Sequence, residues 1–111
     1  MTTKLKSPIE QEGRRKVGKL LKALRDAEGL TQKNVADATG MEYYTFVSQL
    51  ESGYGRVPSE MYERYAKVLK VDVKRFTQAM LFYYDKATYK ALFGALSPEV
   101  GTADWVRGSR K

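Results

Sequence analysis

The 111-residue chain is predicted to be all-α: five helices, the second and third joined by a tight glycine turn, and then one additional C-terminal helix. Three observations carry this. Apolar residues recur three and four apart along most of the chain. Residues suited to starting and stopping helices stand between the periodic stretches. No segment alternates apolar and polar residues as a half-buried strand would.

Residues 1–7 (MTTKLKS) read as a loose basic arm. Ser7-Pro8-Ile9-Glu10 has the form of a capping box with proline at the first helical position, so a helix can begin there. Gly13 and Gly18 are expected to weaken it by about 1 kcal/mol each relative to alanine. The stronger first helix covers 14–28, with Val17, Leu20, Leu21 and Leu24 as one buried stripe and Lys16, Lys19 and Lys22 on the outside, and it stops at Gly29. Thr31 caps a second helix over 32–39, which buries Val35 and Ala36; Gly40 supplies the left-handed stop. A third helix over 43–52 buries Val47 and Leu50, leaves Tyr44, Thr45, Ser48 and Gln49 on its other side, and ends at Gly53.

Tyr54 to Pro58 is a loop carrying Arg56. Ser59 is expected to cap a fourth helix running to Lys70, with Tyr62, Tyr65, Ala66 and Leu69 in helical period. Asp72 caps a fifth, with Val73, Phe76, Ala79, Met80 and Tyr83 on one face. Asp85 caps a short sixth over 86–93. From Gly94 the pattern decays into turn residues and a frayed, flexible basic tail, 94–111. Trp105 stands alone in it, either folded back over an apolar patch or exposed, with a docking role the less favoured reading.

One domain's worth of chain with 42% hydrophobic residues can bury a modest core. Cysteine and histidine are both absent, which excludes a disulfide framework, thiol catalysis, a zinc site of the usual kind and an imidazole base. Glu10, Glu12, Asp26, Glu28, Asp37, Glu60 and Glu63 are scattered rather than convergent, and the glycines form no phosphate-binding motif. The expectation is a non-enzyme with no catalytic residue, metal or cofactor. No apolar run is long enough for a membrane span and no secretory signal is evident, so a cytoplasmic protein (bacterial cytoplasm or nucleoid) is expected, with no membrane partner. The net charge is +7. Between Met41 and Lys70 the charges balance, so the basic surplus lies before Gly40 and after Lys70, as suits a phosphate-facing surface with basic ends.

VGKLLKALRDAEGLTQKNVADATGM, then VSQLESG, then RVPSEMYERYAKVLKVDVKRF resembles the Cro/C1-type helix-turn-helix family of phage repressors and related bacterial regulators (XRE-like). The resemblance implies a five-helix lambda-repressor-like DNA-binding domain over 14–76. Residues 1–13 are then an arm and helix extension, and 77–93 a helical extension. Met41-Glu42-Tyr43-Tyr44 makes the turn into the third helix about one residue longer than is usual in the family.

By that resemblance the third helix enters the major groove of double-stranded DNA and the second crosses the backbone. Tyr44, Thr45, Ser48 and Gln49 take the base-facing positions. Gln49 is the foremost, because its amide can pair bidentately with adenine, a contact worth roughly 1–3 kcal/mol of discrimination. Gln32, Lys33, Tyr43, Ser52, Tyr54 and Arg56 take the backbone-facing positions; Tyr43 and Tyr44 have packing in the longer turn as their alternative. For Lys19 and Lys22 a solvated face is preferred to phosphate contact. Arg25 and Glu51 are assigned to an internal ion pair, since an unneutralised acid beside the phosphates would repel DNA.

One such motif reads few base pairs, so a homodimer on a palindromic operator is expected. The aromatic stretch 76–93 is assigned to its interface, with Phe82, Tyr83, Tyr89, Leu92 and Phe93 as anchors; completion of the monomer's own core is the alternative. The expected function is transcriptional regulation, repression being the simplest form, with RNA polymerase or another regulatory protein as a further partner. A protein-binding adaptor or antitoxin-like module is the competing reading. A nonspecific RNA or membrane-surface binder is the third.

Overall fold

A computed structural model describes residues 8–108. The basic arm, Ser7 of the anticipated capping box and the last three residues lie outside that range. The described residues form α-helices α1 (Pro8–Ala27), α2 (Gln32–Thr39), α3 (Tyr44–Glu51), α4 (Tyr62–Val68), α5 (Val73–Tyr84), α6 (Lys86–Phe93) and α7 (Ala103–Arg107). Short 3-10 turns cover Ser59–Met61 and Pro98–Gly101, and no strand occurs among these residues.

The first helix is continuous from Pro8, and its stripe of Val17, Leu20, Leu21 and Leu24 is buried as its period requires. Gly13 and Gly18 are buried in it for a reason that helix propensity hides. A Cβ on Gly18 would run into the Glu51 carbonyl and come within 2.8 Å of the Leu50 carbonyl oxygen; one on Gly13 would strike the Tyr83 carbonyl. The glycines let α1 lie directly against the ends of α3 and α5, where a larger residue would hold the backbones apart.

Thr31 caps α2 through a reciprocal box: its hydroxyl accepts from the Asn34 N–H at 2.9 Å, and the Asn34 side chain accepts from the Thr31 N–H at 2.9 Å. Gly40, at φ 80°, closes the helix, and Arg64 from beyond α3 donates to the Thr39 carbonyl at 2.9 Å. Asp72 and Asp85 cap α5 and α6 through the N–H groups of Arg75 and Thr88. Ser59 does not cap α4: the chain first makes the 3-10 turn, and α4 begins at Tyr62 without a side-chain cap. Tyr62, Tyr65, Ala66 and Leu69 are buried nonetheless, because the apolar period sets the buried face whichever residue begins the helix.

Two clusters fill the interior. The larger joins α1, α2, α3, α4 and α5 around Leu21, Leu24, Val35, Val47, Tyr65 and Phe76. The smaller consists of Phe82, Tyr89 and Val100, with Leu81, Tyr83, Leu96 and Trp105 against it. That second cluster corrects two expectations. Residues 94–108 are no frayed tail: Pro98–Gly101 and α7 pack on α5, and Val106 is fully buried. Thr102 caps α7 through the Trp105 N–H, the Arg75 guanidinium lies 4.7 Å from the Trp105 ring, and an Arg75 N–H donates to the Trp105 carbonyl at 2.6 Å. Trp105 therefore folds back over the core. Phe82 and Tyr89 are buried inside the monomer, and Tyr83, half-buried, donates its hydroxyl to the Gly101 carbonyl at 3.2 Å. These three cannot serve as dimer anchors while the C-terminal segment covers them; Leu92 and Phe93 alone of the five remain exposed.

Candidate nucleic-acid interface

The helix-turn-helix is set by packing at three places. Val35, Ala36, Val47 and Leu50 hold α2 and α3 to the core. Gly18 admits the end of α3 against α1. The third is a polar cluster that ties α1, α2 and α3 together. Arg25 meets Glu51 in a two-pronged pair, Nε to Oε2 at 2.7 Å and an NH2 group to Oε1 at 2.9 Å, while its other arm donates to the Leu30 carbonyl at 2.9 Å. Gln32 joins them, its amide donating to Glu51 Oε1 at 3.0 Å.

Only 11% and 5% of the Arg25 and Glu51 side chains are exposed. The Glu51 hydrogen bond, with the charges of Glu51 and Asp26, holds the Arg25 guanidinium protonated further above its already high range, against the pull of burial. Removing one member would strand a charge and cost ~3–5 kcal/mol. The same pairing neutralises Glu51 at the foot of α3, where a free carboxylate would oppose a phosphate backbone.

Beside this cluster lies the Tyr65 hydroxyl, fully buried and without a hydrogen-bond partner. Burial and the nearby Glu51 charge push its ionisation far above the ordinary tyrosine value. It stays neutral, so it adds no second charge beneath α3.

The outward surface of α3 is open. Tyr44, Thr45 and Gln49 are exposed and Ser48 is half-buried, whereas Val47 and Leu50 are buried. Tyr43 is the residue before the helix, in extended conformation, and makes no side-chain cap. The helix thus starts at Tyr44, one residue later than its sequence suggests, and both tyrosines point to solvent, which disfavours their packing into the longer turn.

Among the expected backbone-facing residues, Ser52 and Tyr54 are exposed at the exit of α3. Lys33 is exposed and pairs with Asp37 at 3.1 Å. Gln32 departs from expectation, since its amide is turned inward to Glu51. Arg56 is exposed with its guanidinium 4.4 Å from the Tyr84 ring, and the Tyr84 hydroxyl accepts from the Val57 N–H at 3.0 Å. The end of α5 therefore braces the loop that carries Arg56. Burial raises the Tyr84 hydroxyl to about 12, with the Val57 hydrogen bond and the arginines acting the other way.

Three features escaped the sequence. Arg15 packs beside Gly53 at the exit of α3, and the Arg14 charge acts on the Tyr84 hydroxyl that accepts from the Val57 N–H. Their places as adjacent basic residues in the second turn of α1 gave no hint of this. Phe46 is half exposed on α3; its signal was its place one residue off the Val47–Leu50 stripe. A hollow of about 260 Å³ opens beside it, walled by Met41, Phe46, Leu50, Pro58 and Met61 with Gln49 and Arg56.

A compact helical domain whose third helix stands braced from behind and bare in front is a helix-turn-helix domain. The chain belongs to the XRE/Cro-like helix-turn-helix family: a family model described as a helix-turn-helix domain matches residues 16–76, more than half of the chain. A search of curated proteins gave no match. Membership of that family makes the chain a helix-turn-helix protein with DNA as the implied partner. No helix among the described residues is long and apolar enough to cross a membrane.

Proposed function

We propose that this protein is a sequence-specific regulator of transcription that binds double-stranded DNA by laying α3 in the major groove. The observation that carries the proposal is the division of α3 into two sides. Val47, Leu50 and Glu51 are held inward, and Tyr44, Thr45, Ser48 and Gln49 are presented together outward. Small hydroxyls and an amide on one exposed helical face suit base edges, Gln49 through adenine and Thr45 through a thymine methyl. Lys33, Tyr43, Ser52, Tyr54 and Arg56 supply contacts to the sugar-phosphate backbone, with Arg15, packed beside Gly53, adding positive charge at the exit of α3. Gln32 orients the motif through Glu51.

The protein acts as a homodimer on a palindromic operator, with recognition helices about 34 Å apart, one turn of DNA. Leu92 and Phe93, exposed on α6, are the apolar residues offered for that contact. The same two residues suit an adaptor-like contact with a different protein, RNA polymerase or another regulator included, and this is the second reading. A binding selection from randomised duplexes tests the function. Enrichment of one palindromic sequence supports the reading; equal retention of unrelated duplexes overturns it.

A further inference from the structure

Phe46 is an expensive residue to leave on the surface. It is 52% exposed, carries no hydroxyl for water, and sits on a helix whose neighbouring exposed residues are polar or tyrosine. At about 100° per residue along a helix, Phe46 lies roughly 60° from Gln49, closer around the axis than Ser48 does. It therefore borders the same outward face. Beside it the 260 Å³ hollow is walled by Met41, Phe46, Leu50 and Met61, with Gln49 shared between hollow and face. Arg56 is the one charged group among the lining residues, and it is cationic.

We propose that Phe46 and this hollow read the C5-methyl group of thymine, making Phe46 a specificity-determining residue for DNA. The inference rests on the base-reading role of α3 proposed above. In the major groove a thymine presents one apolar group, its methyl, among hydrogen-bonding edges. An apolar wall contiguous with a glutamine amide matches that edge: the amide takes the polar atoms of one base, and the phenyl ring and hollow take the methyl of a neighbour. The Arg56 charge on the rim suits the phosphate that accompanies the base, where an apolar segment of a protein partner would leave it unanswered.

Replacing thymine by deoxyuridine removes the methyl and keeps every hydrogen-bonding group, so it isolates the contact. The probe is the wild-type protein's preferred duplex, with each thymine replaced singly by deoxyuridine and affinity measured by fluorescence anisotropy. Burial of one methyl predicts about a fourfold weakening at the contacted position. Phe46→Ala should bind the thymine and deoxyuridine duplexes alike there, and Phe46→Leu should keep part of the difference. The wild-type series needs no variant, so a misfolded Phe46→Ala would not spare the proposal.

A preferred duplex bound equally well with deoxyuridine at every position overturns the methyl contact and leaves base reading by α3 standing. A penalty undiminished in folded Phe46→Ala overturns it too. So does loss of self-association in Phe46→Ala with the penalty intact, which would show that a second copy covers the hollow. Absence of any preferred duplex overturns both readings.

Discussion

Each of the caps Thr31, Asp72 and Asp85 closes on an N–H three residues ahead, whereas Gly18 answers to carbonyls at the end of α3 and Arg25 to a carboxylate 26 residues away. That short reach made the three caps legible in the sequence. Gly18 was misread as a weakness because its reason, the carbonyls at the end of α3, comes from the other side of the motif. The two accounts give opposite signs. Helix propensity alone has Gly18→Ala stabilising by about 1 kcal/mol. The packing has it destabilising by ~1–3 kcal/mol, as overpacking against backbone does, and urea unfolding decides between them.

Tyr84 gives a second residue-scale expectation. Its hydroxyl is raised from the ordinary 10.0 to about 12 in the fold. Between those values the folded chain keeps the proton that the unfolded chain releases. The stabilisation is therefore complete below pH 10 and lost as pH rises towards 12. Tyr65, raised further by burial, acts in the same direction. The urea midpoint should fall from pH 10 to 12, and Tyr84→Phe should start lower, for want of the Val57 hydrogen bond, but fall less steeply.

Among the elements, those with a long apolar period were readable and those held by tertiary contacts were not. α1, α2, α5 and α6 lie close to where period and caps placed them, and α3 is one residue shorter at each end. The segment after Gly94 was missed because a four-residue 3-10 turn and a five-residue helix are too short to show a period. Its burial comes from α5, through Arg75, Tyr83 and Phe82. Excess aromatic residues in 76–93, which suggested an interface, are explained largely by this hidden partner. Deleting residues 95–111 should expose Phe82, Tyr83 and Tyr89. The loss of Val100 and Val106 alone, at ~1.5–3 kcal/mol for each buried side chain, predicts a fall of ~3 kcal/mol or more. Far-UV circular dichroism during urea unfolding measures it, and an unchanged midpoint would mean the segment contributes nothing.

For the whole molecule, the C-terminal part thus has two duties on the proposed reading: α7 and the turn before it complete the monomer, and the far side of α6 meets a second copy. Sedimentation over a concentration series should show a dimer that Leu92→Ser with Phe93→Ser converts to monomer, leaving the fold intact. Persistence of the dimer in that variant would move the interface elsewhere on the surface. The family and the helix-turn-helix itself were legible in one chain because the motif is a local device of short helices and a glycine stop. The aim of α3 was not, since it depends on Gly18, on Gln32 bound to Glu51, and on a loop braced by Tyr84.

The central claim, that α3 reads bases while the residues around its exit hold the backbone, is tested most directly by repeating the randomised-duplex selection with Gln49→Ala and Arg56→Ala beside the wild type. Gln49→Ala should relax preference at particular base pairs, each by roughly 1–3 kcal/mol. Arg56→Ala should keep the preferred sequence, bind all duplexes more weakly, and lower the salt slope by about one unit. An unchanged sequence preference in Gln49→Ala would contradict the assignment of the reading face.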